Sequence, residues 1–112
     1  MSSKVVTLTA ENFDAVALAA DRTTVVDLWA PWCPPCRALA PTIAALAEER
    51  ADITVGKLDV DDHPAIAERY GIQSIPTVLV FRNGQLVSRS IGLVPIERLR
   101  GLLDGPREEA TA

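Results

Sequence analysis

The only two thiols in this 112-residue chain are Cys33 and Cys36, and their spacing already defines a chemistry. At the start of a helix, positions i and i+3 share a face with Cβ atoms roughly 5–6 Å apart, close to the separation a disulfide accepts. The positive end of the helix favours a thiolate on the first cysteine. The second, one turn further in, is placed to attack a mixed disulfide formed by the first. Spacing therefore assigns Cys33 as the attacking sulfur and Cys36 as the resolving one. Two other readings fit the same residues: a pair of small core side chains, or half of a zinc site. Zinc needs two further ligands, and the one histidine, His63, lies on a different segment. No metal is expected, because Cys-x-x-Cys beside a strand–helix–strand pattern is a redox signature.

Asp27 is the second candidate. It interrupts the apolar run Val25-Val26-Asp27-Leu28-Trp29, on the face that alternation gives to Val25 and Trp29. A carboxylate there is desolvated and its pKa raised, so it can carry the proton that opening and closing the cysteine pair requires. A hydrogen-bonded structural Asp, or a strand whose Asp face is solvated, is the alternative. Lys57 interrupts the neighbouring strand in the same way and either pairs with Asp27 or is an ordinary solvated lysine. Trp32, in the loop just before Cys33, is expected to be exposed, where it shields the thiolate or meets a partner, or else packs the loop. Arg37 either favours the thiolate or is an exposed helix charge.

The elements that must position these residues follow from periodicity. Strands are predicted over Lys4 to Thr9, Thr23 to Ala30, Ile53 to Val60, Ile75 to Arg82 and Gln85 to Ile91. Thr9 is expected to cap a helix over Ala10 to Ala20, with Phe13, Val16, Ala17 and Ala20 at helical spacing. A long helix runs from the cysteine pair to Arg50, burying Leu39, Ile43, Leu46 and Ala47 and bending at Pro41. Asp61 or Asp62 is expected to cap a short helix over Pro64 to Tyr70, and Pro95 opens a last one through Leu103. Asn83-Gly84 is a hairpin signal. This order predicts an α/β protein: a mixed five-stranded sheet flanked by four helices, parallel where helices cross over and antiparallel at the hairpin.

Composition bounds the rest. A chain of this length with 48% hydrophobic residues fits one domain, expected over 1–105 with a polar tail over 106–112. Fifteen acidic residues against eleven basic ones, with a net charge of −4 and no block of like charge, argue against nucleic-acid binding. No stretch approaches the roughly 18 apolar residues of a membrane span. Met1-Ser2-Ser3-Lys4 runs into the first strand with no apolar leader or cleavage site, so the expected location is cytoplasmic. A monomer is expected.

Taken together, Asp27-Leu28-Trp29-Ala30-Pro31-Trp32-Cys33-Pro34-Pro35-Cys36 and the downstream Ile75-Pro76-Thr77 resemble the thioredoxin family. The likeness extends to Pro41, Lys57-Leu58-Asp59, Tyr70-Gly71-Ile72, Phe81-Arg82-Asn83-Gly84 and Gly92, and covers roughly Val5 to Leu103. It implies a thioredoxin fold and a protein-disulfide reductase that bears no bound cofactor. It further implies a cis bond between Ile75 and Pro76 and a substrate groove lined by Trp32, Ile75, Pro76 and Gly92, with strand-like hydrogen bonds from the Ile75 backbone. Expected partners are client proteins with disulfides and thioredoxin reductase, through which NADPH supplies electrons indirectly; this chain has no dinucleotide fingerprint of its own. A thiol oxidase or isomerase, or a non-catalytic scaffold subunit, is the alternative.

The chain departs from the family pattern at Pro34, where the usual dipeptide is Gly-Pro, at Ser74, where Gly is common, and at Leu28, where Phe is common. Ser74 and Leu93 are expected to narrow the groove. Pro34-Pro35 is expected to tune the redox pair: Pro34 as the cap and Pro35 as the first helical residue. Two amides near Cys33 are then missing, leaving those of Cys36 and Arg37 as donors. Fewer donors and two fixed φ angles both favour the disulfide, hence a reductant; strain imposed by Pro34 would act the other way.

Overall fold

A computed structural model describes residues 4–104; the boundary expected at 105 and the tail over 106–112 lie outside the described residues. The elements run β1 (Val6–Leu8), α1 (Phe13–Ala17), β2 (Thr23–Trp29), α2 (Pro34–Glu49), β3 (Thr54–Asp59), α3 (Pro64–Arg69), β4 (Thr77–Arg82), β5 (Gln85–Ile91) and α4 (Ile96–Asp104). They form one sheet in the order β1-β3-β2-β4-β5. Strands β1, β3 and β2 are parallel, while β4 is antiparallel to both β2 and β5. Asn83 and Gly84, both at positive φ, make the two-residue turn between β4 and β5.

Alternation along the central strand splits the core into two. Val25 faces a cluster with Val55, Val78 and Val80, covered by Leu39, Ile43, Leu46 and Ala47 of α2 and by Leu99, Leu102 and Leu103 of α4. Val26 and Leu28 face the other side, with Leu8, Leu58, Leu79 and Phe81 beneath Phe13 and Ala17 of α1 and Ile66 of α3. The residues predicted to form the buried face of α2 all do so, and the helix continues through Pro41. Because β2 is flanked by a strand on each edge and by helices on each face, Thr24 to Leu28 are all buried. Asp27 has no direction in which to leave the core.

Several boundaries fall one or two residues from expectation, and four differences have a local cause. Helix α1 is confined to Phe13–Ala17, because Thr9 and Asn12 exchange side-chain-to-backbone hydrogen bonds (Thr9 N to Asn12 Oδ1, 2.7 Å; Asn12 N to Thr9 Oγ1, 3.1 Å) that hold the preceding residues in a turn. The cap of α3 is His63, not Asp61 or Asp62. Asp59 takes up the amides of both those residues on Oδ1, a local turn that competes with helix. Strand β4 starts at Thr77, since Ile75–Pro76 is a cis peptide that ends the preceding loop. Finally, α2 takes Cys33 as its cap and both prolines as its first turn, a difference with consequences for the cysteines.

Candidate redox site

Cys33 is extended (φ −94°, ψ 109°), as a residue before proline must be. It caps α2 with its sulfur, which accepts the Cys36 N–H at 3.2 Å. Pro34 and Pro35 occupy the first two helical positions, where the missing amides leave no hydrogen bond broken. The fourth amide, that of Arg37, donates to the Cys33 carbonyl at 3.1 Å. One N–H therefore serves the Cys33 sulfur, and Arg37 is not the second donor the sequence led us to expect. The Cys33 and Cys36 Cα atoms are 5.2 Å apart and their sulfurs form a disulfide, buried against Ala30, Trp29, Val60 and Ile75.

Two surfaces meet at this pair. On the outer side the Cys33 sulfur lies 3.8 Å from the Ile75 carbonyl, beside the cis Ile75–Pro76 bond. The Gly92 amide donates to the Pro76 carbonyl at 2.8 Å, and the Thr77 hydroxyl holds the Ser74 carbonyl at 2.6 Å. Trp32, Ile91 and Leu93 are 64%, 59% and 55% exposed; they are three of the four large apolar side chains that the described residues expose, and they belong to the segments around the disulfide. Ile91 stands opposite Thr77, the residue after the cis-proline, in the β4–β5 register, and Leu93 follows Gly92. Trp32 does not pack the loop. Its indole Nε1 donates to Asp61 at 2.6 Å, which fixes the ring. The pairing spans 29 residues, and no local signal in the sequence announces it.

The inner side holds Asp27. Only 4% exposed, it has one oxygen, Oδ1, with no hydrogen-bond partner, and burial pushes its carboxyl up to about 7 while Lys57 pulls it modestly back. A cavity of about 160 Å³ is lined by Asp27, Trp29, Cys36, Arg37, Ala40 and Lys57. A neighbouring one of about 180 Å³ shares Asp27, Ala40 and Lys57. Space of this size next to a polar group admits water, so the acid and the inner cysteine border one proton-accessible volume. Lys57 stands opposite Asp27 in the parallel register, but its ammonium lies over the Trp29 ring, 5.3 Å from the centroid. Among the described ion pairs there is none between Lys57 and Asp27. The two residues are neighbours, not a bonded pair, because the flexible lysine stem reaches solvent while the short aspartate cannot. Arg37 donates to the Pro31 carbonyl at 2.9 Å, bracing the loop before Cys33.

Among the described residues no group of three or more His, Cys, Asp or Glu side chains could hold a metal ion, and no helix is long and apolar enough to cross a membrane.

A mixed sheet in the order β1-β3-β2-β4-β5, with a disulfide at the start of α2 facing a cis-proline, defines an α/β protein with a vicinal-cysteine centre. The thioredoxin family model matches residues 4–104. The chain belongs to the thioredoxin family. It is 44% identical over 102 residues to a chloroplastic M-type thioredoxin of Zea mays, covering 90% of this chain and 61% of the relative. A thioredoxin of Alicyclobacillus acidocaldarius is 45% identical and one of Porphyra purpurea 43% identical, each over 98 residues that make up 87% of this chain and 92% of the relative. The chain thus spans about three fifths of the length of the maize relative and nearly all of the other two.

Proposed function

We propose that the protein is a dithiol–disulfide oxidoreductase that reduces disulfides in client proteins. The observation that carries this reading is the Cys33–Cys36 disulfide at the N-terminus of α2, set between an exposed apolar surface and a buried acid. In the reduced protein the Cys33 thiolate attacks one sulfur of a client disulfide; that bond breaks and the released client thiolate takes a proton. Asp27, as carboxylate, removes the Cys36 proton through the inner cavity, with Lys57 adding positive charge nearby. The Cys36 thiolate then attacks the Cys33 sulfur, the mixed disulfide breaks, and the second client sulfur leaves and is protonated. Two electrons have passed to the client, and Cys33–Cys36 is closed.

Trp32, Ile75, Pro76 and Gly92 line the client groove in this reading, and Ile75 offers backbone hydrogen bonds to an extended client segment. Thioredoxin reductase returns the electrons, with NADPH as their indirect source and no cofactor bound to this chain. A reductant works where thiols are kept reduced, which favours the cytoplasm, and the protein acts as a monomer. NADPH consumption with a bacterial thioredoxin reductase and insulin tests the reading directly. Turnover is expected. No turnover with insulin under either reductase or dithiothreitol overturns it, whereas activity with dithiothreitol alone means a different electron donor.

Pro34 and Pro35 tune the pair in different ways. A cap side chain bonds the amides of the second and third helical residues, so the donor that proline removes from Cys33 is that of Pro35. Pro34 acts through chain freedom: its fixed φ leaves the reduced loop with less entropy to lose on closing. Pro34→Gly is expected to make the potential about 10–20 mV more oxidising, the equivalent of a single backbone-entropy substitution. A glutathione redox titration reads this, and a shift in the reducing direction would show that strain at Pro34 dominates.

A further inference from the structure

We propose that Arg89 is a positioning residue for the client groove, acting through the carbonyl of Tyr70 on the loop that carries Ile75 and Pro76. The inference rests on the reductase reading above and adds a residue to it. Arg89 lies opposite Leu79 in the β4–β5 register, and Leu79 belongs to the core on the α1 and α3 side. The guanidinium is therefore half-buried on the apolar face of the sheet. It forms no ion pair among the described residues, and its buried Nε has no partner. Burying a cation against apolar side chains without a carboxylate is costly, and a leucine would pack the same site without that cost.

What the arginine provides is one hydrogen bond, from Nη2 to the Tyr70 carbonyl at 3.2 Å. Its place in the chain matters. Helix α3 ends at Arg69 with Tyr70 as its cap. Gly71, at φ +64°, adopts the left-handed turn that lets its own amide reach the Glu68 carbonyl (3.2 Å) and the Ile72 amide reach the Ala67 carbonyl (2.9 Å). This Schellman closure uses the carbonyls of the helix interior and leaves the cap carbonyl in need of a donor. Arg89 supplies it, and its positive charge suits the negative end of the helix.

From Tyr70 the chain runs without regular structure to β4. At its far end the loop is held by Thr77 on the Ser74 carbonyl and by Gly92 on the Pro76 carbonyl. At its near end the Tyr70 ring packs on Phe13 and on Phe81 of β4, Ile72 packs against the same core, and Arg89 adds the polar tie, from β5 to the Tyr70 carbonyl. Arg89 lies near the end of β5 and Gly92 just beyond it, so the end of this strand and the residue after it meet the two limits of the segment against which the client must lie. Without Arg89 the Tyr70 carbonyl loses its donor while the ring stays packed, so the backbone leading to Ile75 is held less tightly and the groove beside Cys33 is less sharply set. The cysteines themselves are untouched.

The test compares two disulfides in single turnover, mixing the prereduced protein with excess insulin or with dithiobis(nitrobenzoic acid). A small aromatic disulfide needs the thiolate but not the groove. For Arg89→Met the half-saturating insulin concentration is expected to rise about three- to tenfold with the limiting rate unchanged, the scale of one ordinary hydrogen bond lost from positioning. Its rate with the small disulfide stays at that of the native protein. Arg89→Lys, which still offers an N–H to the Tyr70 carbonyl, restores the insulin value. If Arg89→Met fails to fold, Arg89→Gln takes its place under the same comparison, with amide exchange over residues 71–75 expected to be faster than in the native protein and that of β4 unchanged. Unchanged insulin saturation, a parallel loss with both disulfides, or no rescue by lysine overturns the proposal. A native protein that reduces neither disulfide overturns instead the reductase reading on which it stands.

Discussion

Cys36→Ser is expected to turn the protein into a covalent trap for its clients. Cys33 accepts the Cys36 backbone amide on its sulfur, and that amide remains when the Cys36 side chain becomes a hydroxyl. The attacking thiolate therefore keeps its hydrogen bond and its place at the helix terminus, and the first exchange proceeds. Resolution does not, because serine oxygen is not a nucleophile for a disulfide at neutral pH. Incubating the reduced variant with insulin should give a species whose mass is the sum of the two partners, stable until dithiothreitol is added. Catalytic turnover should fall at least about a thousandfold, since loss of one member of a pair that acts as a unit removes nearly the whole effect. Cys33→Ser should yield no adduct: both cysteines are buried, but the Cys33 sulfur lies beside the Ile75 carbonyl on the client side, whereas Cys36, in the first turn of α2, borders the inner cavity, which a client sulfur does not enter. An adduct through Cys36 in that variant, or turnover surviving in Cys36→Ser, would reverse the assigned roles.

The parts of this site that lie on one segment were legible in the sequence. Two cysteines at helical spacing, an aspartate in a central apolar run and a tryptophan in the preceding loop are local facts, and periodicity fixes which face each occupies. The same is true of the buried face of α2 and of the hairpin at Asn83-Gly84. The cis bond before Pro76 came from family resemblance and not from any physical property of Ile-Pro. Contacts between distant segments were not readable at all. Asp61 holding Trp32 and Arg89 holding Tyr70 each depend on side-chain placement across strands and loops, for which spacing carries no information. The short α1 and the His63 cap were missed for a related reason: Thr9, Asn12 and Asp59 make local hydrogen bonds that outcompete the helix their neighbours would otherwise extend. At the prolines the sequence rule was sound but the count was off by one. Cys33 satisfies the pre-proline restriction itself and takes the cap, so the helix starts a residue earlier, with Pro34 in the first helical position expected of Pro35 and Pro35 in the second.

Asp27→Asn is expected to slow client release and stabilise the protein at once, and the two effects share one cause. Burial raises the carboxyl from an ordinary value of 3.8 to about 7, so between those values the folded chain binds a proton that the unfolded chain has lost. Folding stability therefore falls as pH rises through this window and levels off above about 7, with a total cost on the order of 4 kcal/mol. Asparagine nearly matches the shape and has no charge to desolvate; a denaturant series between pH 5 and 8 should show the variant losing little stability where the native protein loses much. The kinetic consequence has the opposite sign. Above pH 7 the native carboxylate is free to accept the Cys36 proton through the cavity they share, and resolution of the mixed disulfide should accelerate through an inflection near that value. In Asp27→Asn the inflection should vanish and the rate at pH 8 should fall about tenfold, less than a fully enclosed general base commands, because the cavity still lets water carry the proton more slowly. Stopped-flow resolution of a preformed mixed disulfide measures this step in isolation. A variant that is more stable yet retains the native rate profile would leave Asp27 as a buried charge without a part in proton transfer.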